Sequence, residues 1–96
     1  CEADDPLTSM AFDRARTPHG RPLRAVFSSD IGHWDVPDMR EVVGELLEPI
    51  EKGWLSAQDV RAFAFENPVR FYTDTNPRFF EGTAVEGEVR RLLAGA

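Results

Sequence analysis

The apolar residues in the middle of the chain recur with the period of an amphipathic helix. Counted from Met39, they fall at offsets of 3, 4, 7, 8 and 11 residues, which places them on one face of a helix. We predict a helix over residues 37–52, with Asp35 as its N-terminal cap and Gly53 as a left-handed stop. The apolar face comprises Met39, Val42, Val43, Leu46, Leu47 and Ile50.

Pro49 conflicts with this pattern because it lies inside the predicted helix. A proline ring has no N–H to donate, and it clashes with the carbonyl group four residues earlier, here that of Glu45. We therefore expect a kink or a split between Leu47 and Pro49.

Residues 24–28 are predicted to form the one clear β-strand, because Ala25, Val26 and Phe27 make a short apolar run between polar residues. A single strand leaves both backbone edges unpaired, and each buried unpaired group costs about 1–3 kcal/mol. This strand should therefore pair with a strand outside the segment, and in isolation it should pair with a second copy of the chain, lie on an edge or melt. Before it, Thr8 is expected to cap a short helix.

Residues 57–96 carry the signals of several C-terminal helices. Ser56 and Asp59 have the spacing of a capping box, so a helix should begin at Ala57. The helix should end near Glu66, because the residue before a proline avoids helical angles and Asn67-Pro68 follows. Taken alone, the chain is thus predicted to be mostly α-helical with one clear β-strand.

Two short turns and a last helix should complete the chain. A helical turn after Pro68 is expected to place Phe71 and Tyr72 on the core, and Asn76-Pro77 should begin another turn. The last helix is predicted from a stripe of four apolar residues, Val85, Val89, Leu92 and Leu93.

Composition narrows the class of protein. The 96 residues suggest one domain at most, and the formal net charge of −6 argues against a nucleic-acid or anionic-membrane surface. No apolar run approaches the ~18 residues needed to span a bilayer. The single cysteine, Cys1, leaves no internal disulfide and no cysteine-based zinc cluster. We expect a cytoplasmic protein that binds neither nucleic acid nor membrane.

Asp30, His33 and Trp34 follow the predicted strand and are the candidate site residues. In a (β/α)₈ barrel, polar residues just past a strand lie on the catalytic face. Asp30 suits a metal ligand or a general base, and otherwise a turn former or cap. His33 suits a catalytic donor or a group that orients Asp30, and otherwise a partly exposed loop histidine. Trp34 suits either a pocket wall or a packed rim residue.

Three stretches of the chain resemble one enzyme superfamily. They are residues 28–39 (SSDIGHWDVPDM), 66–70 (ENPVR) and 76–83 (NPRFFEGT). They resemble metal-dependent hydrolases of the amidohydrolase superfamily, and in particular the amidohydrolase 2 group. That group includes decarboxylases resembling aminocarboxymuconate-semialdehyde decarboxylase. The resemblance extends from about Cys1 to Leu93.

The resemblance implies that residues 1–96 are the C-terminal part of a (β/α)₈ TIM barrel, an α/β fold. Residues 24–28 would be its last strand, residues 37–52 the following helix and residues 57–96 the C-terminal helices. Asp30 matches the aspartate that, in the family, ligates or faces the catalytic metal, and we expect a divalent metal, zinc, in the full-length protein. The family's other ligands, including a His-x-His pair, have no counterpart here. We therefore expect no tight metal site and no activity from this segment alone.

Two functions are compatible with the sequence. The first is the C-terminal portion of a metal-dependent hydrolase that acts on a small carboxylated substrate, by hydrolysis with metal-activated water or by non-oxidative decarboxylation. Its partners would be the substrate and the remainder of the barrel. The segment alone should self-associate through residues 24–28 and its apolar helix stripes. The alternative is a free-standing small helical binding or interaction domain, without catalysis, in which Asp30 is a cap.

Overall fold

The computed structural model describes residues 5–95, and the expectations for Cys1 lie outside this range. The described chain consists of helices joined by turns and one extended segment. Three short 3₁₀ helices span Pro6–Phe12, Pro18–Gly20 and Met39–Glu41, and a π-helical turn spans Ala62–Glu66. The α-helices are α1 (Val42–Glu51), α2 (Ala57–Arg61), α3 (Asn67–Thr73) and α4 (Glu86–Gly95).

The predicted β-strand was wrong, since residues 5–95 contain no strand and only Ser28 has a single β-bridge. Residues 24–28 are extended, but helical groups bind their backbone. The Phe27 N–H donates to the Phe63 carbonyl at 3.1 Å, and the Asn67 Nδ2 donates to the Ala25 carbonyl at 2.9 Å. The segment therefore obtains polar partners within the chain, and the assignment of a barrel fragment with one clear strand is corrected to a helical fold.

The first helices begin one position or more away from the predicted caps. The Pro6–Phe12 helix is capped by Asp5, whose carboxylate accepts the Leu7 N–H at 2.9 Å, and Thr8 is buried inside it. The helical segment that leads into α1 is capped by Asp38, which accepts the Arg40 N–H. Both predictions were wrong, because the first helix begins before Thr8, at Pro6, and the second begins after Pro37, at Met39, so that Asp5 and Asp38 occupy the cap positions.

Helix α1 continues through Pro49 without the predicted split. Pro49 is buried, and its carbonyl accepts N–H groups from Trp54 and Leu55 at 2.9 and 3.2 Å. Pro49 lies two residues before the end of α1, where the chain turns into the loop that follows. The predicted stop is confirmed, because Gly53 has a φ of 74°.

The helix that begins at Ala57 does not end at Asn67-Pro68 as predicted. Its start is confirmed: Ser56 and Asp59 form a reciprocal capping box. The helix then widens into the π-helical turn, where the Asn67 N–H donates to the carbonyl of Ala62, five residues earlier. This wider turn accommodates Pro68, and the chain continues directly into α3. We call the continuous stretch Ala57–Thr73 the long helix.

Phe63 on the long helix is the centre of the core. Its side chain is 1% exposed and makes edge-to-face contacts with Phe12, at a centroid distance of 6.1 Å, and with Phe27, at 5.8 Å. The first helix, the extended segment and the long helix thus meet at one ring. The buried core cluster comprises Phe12, Val42, Leu46, Leu55, Val60 and Phe63.

The C-terminal aromatics form a cluster on the surface. Phe71 and Tyr72 are 67% and 44% exposed, so their predicted place on the core was wrong. Tyr72 stacks on Phe79 with centroids 4.6 Å apart, and Phe80 packs edge-on against both rings. Their exposure follows from the face of the helix on which they lie, because the buried positions of α3 are Val69 and Thr73, one turn apart.

Substitution of Phe63 by alanine should destabilise the fold by about 3–5 kcal/mol, because it removes a fully buried ring and two ring contacts. Chemical denaturation followed by circular dichroism measures the free energy of unfolding. The matched control is Phe71→Ala on the exposed side of the same helix, which should cost less than about 1 kcal/mol. Equal losses for the two variants would contradict the assigned core.

Substitution of Asn67 by aspartate should also destabilise the fold, here by about 1–3 kcal/mol. The variant keeps the shape of the side chain but replaces the Nδ2 donor with an oxygen that faces the Ala25 carbonyl. Asn76→Asp is the control, because Asn76 uses its oxygen to accept the Arg78 N–H in an exposed turn. If both variants unfold at the same denaturant concentration, Asn67 does not anchor the extended segment.

Candidate functional site

The loop after the extended segment is folded into a tight turn by its own backbone. The His33 N–H donates to the Asp30 carbonyl at 3.2 Å, and the Ile31 N–H donates to Ser29 Oγ at 3.3 Å. Asp30 has a φ of 53°, in the left-handed region that aspartate tolerates better than most residues, and Gly32 has a φ of 101°. This turn reverses the chain and brings residues 30 and 33 onto the same side.

Two carboxylates and an imidazole converge in this turn. One ligand atom from each of Asp30, His33 and Asp35 lies within 4.8 Å of the other two. The His33 Nδ1 and Asp30 Oδ1 atoms are 3.3 Å apart. The Asp30 side chain is 20% exposed, whereas that of His33 is 68% exposed. The structure therefore brings the two predicted residues Asp30 and His33 together and adds a third group.

Asp35 was predicted only as a helix cap, and its place beside His33 is a result of the turn. The signal in the sequence is the spacing Asp-x-x-His-x-Asp around Gly32, three donor groups within six residues. This spacing indicates a cluster only together with the positive φ angles of Asp30 and Gly32, which turn the loop so that the three side chains lie close together. Asp38, close by in sequence, belongs to a different interaction: the Arg40 guanidinium and backbone N–H hold the pKa of Asp38 below its usual value.

The chemistry of the donor set suits a divalent cation, because carboxylate oxygens and imidazole nitrogens are common metal ligands. The upper limit of 4.8 Å on the spacing of these atoms is wider than a closed zinc site requires. A metal centred among atoms up to 4.8 Å apart would lie as far as about 2.8 Å from each, against about 2.0–2.2 Å for zinc. At that upper limit the loop would have to contract before the three groups could bind one small cation, whereas the His33 Nδ1 and Asp30 Oδ1 atoms are already 3.3 Å apart.

Trp34 is 94% exposed, so it points into solvent beside the three groups. A cavity of about 440 Å³ lies next to the loop and is lined by residues 31, 32 and 36–40. It is bounded mainly by apolar side chains, and Asp30, His33 and Trp34 do not line it. The candidate donors and the nearest cavity thus share the loop but face different sides of it.

Comparison with protein-family models, curated proteins and solved structures gave no match to this chain. Among residues 5–95, no helix is both long enough and apolar enough to cross a membrane.

Zinc binding by the 96-residue chain should be weak, with a dissociation constant above about 1 μM, because the three donor groups come from one loop and two of them, His33 and Asp35, are exposed. Calorimetric titration measures the affinity, and shifts of the His33 imidazole resonances in nuclear magnetic resonance spectra show where the ion binds. His33→Ala should abolish the resonance shifts, whereas Asp38→Asn should leave the affinity unchanged. Stoichiometric zinc retained after dialysis against a weak chelator would contradict this prediction.

Proposed function

We propose that the chain is the C-terminal portion of a metal-dependent hydrolase that resembles the amidohydrolase superfamily. The observation that carries the proposal is the convergence of Asp30, His33 and Asp35 within 4.8 Å, in the loop whose sequence resembles the family's metal-binding segment. The carboxylate that the resemblance assigns to the metal is the less exposed member of the Asp30–His33 pair. A cytoplasmic location accords with this proposal and with the single cysteine.

In this proposal Asp30 ligates a divalent cation, most simply zinc, or takes a proton from an attacking water. The bound cation would supply Lewis-acid polarisation of the substrate and a more acidic water. His33 lies 3.3 Å from Asp30 and can orient that carboxylate or donate a hydrogen bond to a substrate oxygen. Asp35 would add a second carboxylate to the same cluster. The small carboxylated substrate would react by hydrolysis or by loss of carbon dioxide.

The test is an activity screen of the longest protein that contains this chain, with Zn²⁺ supplied and with hydrolysis and carbon dioxide release measured separately. Asp30→Asn should lower turnover by at least about 100-fold, the low end for loss of a general base. The matched control is Asp38→Asn, which removes a nearby carboxylate that is paired with Arg40. Its turnover should stay within about twofold of the unmodified protein, well below a tenfold effect.

Turnover of the Asp30→Asn variant within about twofold of the unmodified protein would remove Asp30 from the mechanism. Circular dichroism should show that both variants keep the helical content of the unmodified protein. A loss of folding in Asp30→Asn alone would assign this residue to the turn rather than to catalysis.

A second candidate is a small helical binding domain, and one observation favours it. Residues 24–28 lie on the chain's own long helix, with Ala25 and Phe27 half-buried against the core. The segment therefore does not require the outside strand that a barrel fragment would need. This candidate predicts a fold that is complete without further chain.

Sedimentation distinguishes the two candidates. The hydrolase portion should self-associate at low micromolar concentration, because it exposes an apolar face. This face consists of Met39 just before α1 and of Val43 and Leu47 on α1, which are 65%, 65% and 47% exposed. The binding domain should sediment as a monomer and unfold in one cooperative transition. A Val43→Glu variant should dissociate the assembly if this face forms the contact. An unchanged oligomer in that variant would place the contact elsewhere.

A further inference from the structure

The basic side chains divide into two groups according to their partners. Seven of the eleven form ion pairs with acidic residues two to five positions away in sequence. The other four form no ion pair with any residue in the described range 5–95. The paired group is Arg16, Arg40, Lys52, Arg61, Arg78, Arg90 and Arg91, and the unpaired group is Arg14, Arg21, Arg24 and Arg70.

All four unpaired arginines line the same groove, which we call the arginine groove. It has a volume of about 500 Å³, within the range of small-molecule sites. One wall of the groove is formed by residues 12–24 and the other by residues 56–70. Arg70 is half-buried on α3 in the second wall, and the other three arginines are exposed on the first. Phe12, Pro22, Leu23 and Ala62 provide the apolar part of the lining. Residues that are dispersed along 57 positions of the sequence are thus gathered by the fold at one place.

The two acidic residues in the arginine groove already have partners. Asp59 accepts the Ser56 N–H at 3.0 Å as part of the capping box. Glu66 accepts from Arg61 Nε at 3.0 Å, and Arg61 does not line the groove. Four guanidinium groups outnumber these two carboxylates, and Glu66 is also paired with Arg61, so the groove keeps an excess of positive charge.

The wall that carries Arg21 and Arg24 is fixed in place by backbone contacts on both sides. The Leu23 N–H donates to the Ala11 carbonyl at 2.7 Å, and the Ala25 carbonyl accepts from Asn67. The turn that carries Arg14 is closed by N–H groups from residues 16 and 17, both of which donate to the Asp13 carbonyl at 3.1 Å. The groove is therefore assembled by the fold before any ligand binds.

We propose that the arginine groove binds a small molecule that carries a diphosphate group. Guanidinium groups bind phosphate oxygens through paired hydrogen bonds, and four of them match the several charges of a diphosphate. The groove volume suits a small molecule, with Phe12 and Leu23 beside the charged end to receive an apolar or cyclic part. An extended polyanion is disfavoured, because the chain as a whole has a net charge of −6 and its remaining surface repels it.

Calorimetric titration of the 96-residue chain with pyrophosphate in low salt tests the proposal. We expect one saturable site, with affinity that falls as salt is added. The double variant Arg21→Gln/Arg70→Gln changes one arginine on each wall and should weaken binding by about 100-fold, at roughly tenfold for each guanidinium–phosphate pair removed. The matched control is Arg40→Gln/Arg90→Gln, which removes the same charge from two paired sites. Its affinity should remain within about twofold of the unmodified chain, which also excludes an effect of net charge alone.

Two further ligands test the ligand class. Citrate should bind more weakly than pyrophosphate, and a 20-base-pair DNA duplex should show no binding that depends on Arg21 and Arg70. Equal losses in the two double variants, tighter binding of citrate or DNA through these arginines, or no saturable binding of pyrophosphate by about 5 mM would each overturn the proposal. Arg14→Gln provides a third, single variant should the Arg21/Arg70 pair fail to fold. The outcome is independent of the loop proposed to bind a metal, since Asp30, His33 and Asp35 do not line this groove.

Discussion

The hydrogen bond from the Phe27 N–H to the Phe63 carbonyl is the constraint on which the arrangement of the chain depends. In a regular α-helix the Asn67 N–H would bind that carbonyl, but in the π-helical turn it donates to Ala62 instead. The next residue, Pro68, has no N–H to offer. The Phe63 carbonyl is thereby left for the extended segment, and the Asn67 side chain fixes the neighbouring Ala25.

These hydrogen bonds between the extended segment and the long helix explain which parts of the fold could be predicted from the sequence. The capping box at Ser56 and the stop at Gly53 depend on contacts within one turn, and both were predicted correctly. The strand at residues 24–28 and the helix end at Asn67-Pro68 were wrong for one shared reason. An apolar run of this kind predicts a strand because its backbone N–H and C=O groups need hydrogen-bond partners. Here Asn67 and Pro68, a pair that normally ends a helix, leave the Phe63 carbonyl free for the Phe27 N–H, and the Asn67 side chain binds the Ala25 carbonyl.

The two candidate sites lie at opposite ends of the same extended segment. Arg21 and Arg24 precede the contacts with the long helix, and Asp30 follows them. Docking of the segment therefore fixes a cationic groove and an anionic loop in one step. The loop was predicted in part, since Asp30 and His33 are close in sequence and share a turn. Asp35 lies near them in a loop whose backbone has positive φ angles at Asp30 and Gly32, which the spacing in the sequence does not indicate.

The arginine groove could not be predicted from the sequence, for a physical reason. The arginines look scattered along the chain, and seven of the eleven basic side chains pair locally, so composition describes an ordinary acidic surface. What distinguishes Arg14, Arg21, Arg24 and Arg70 is the absence of such a local partner among the described residues. Holding like charges near one another raises the free energy of the folded chain. A bound anion offsets that repulsion, and the fixed walls of the groove spare the ligand the cost of ordering them.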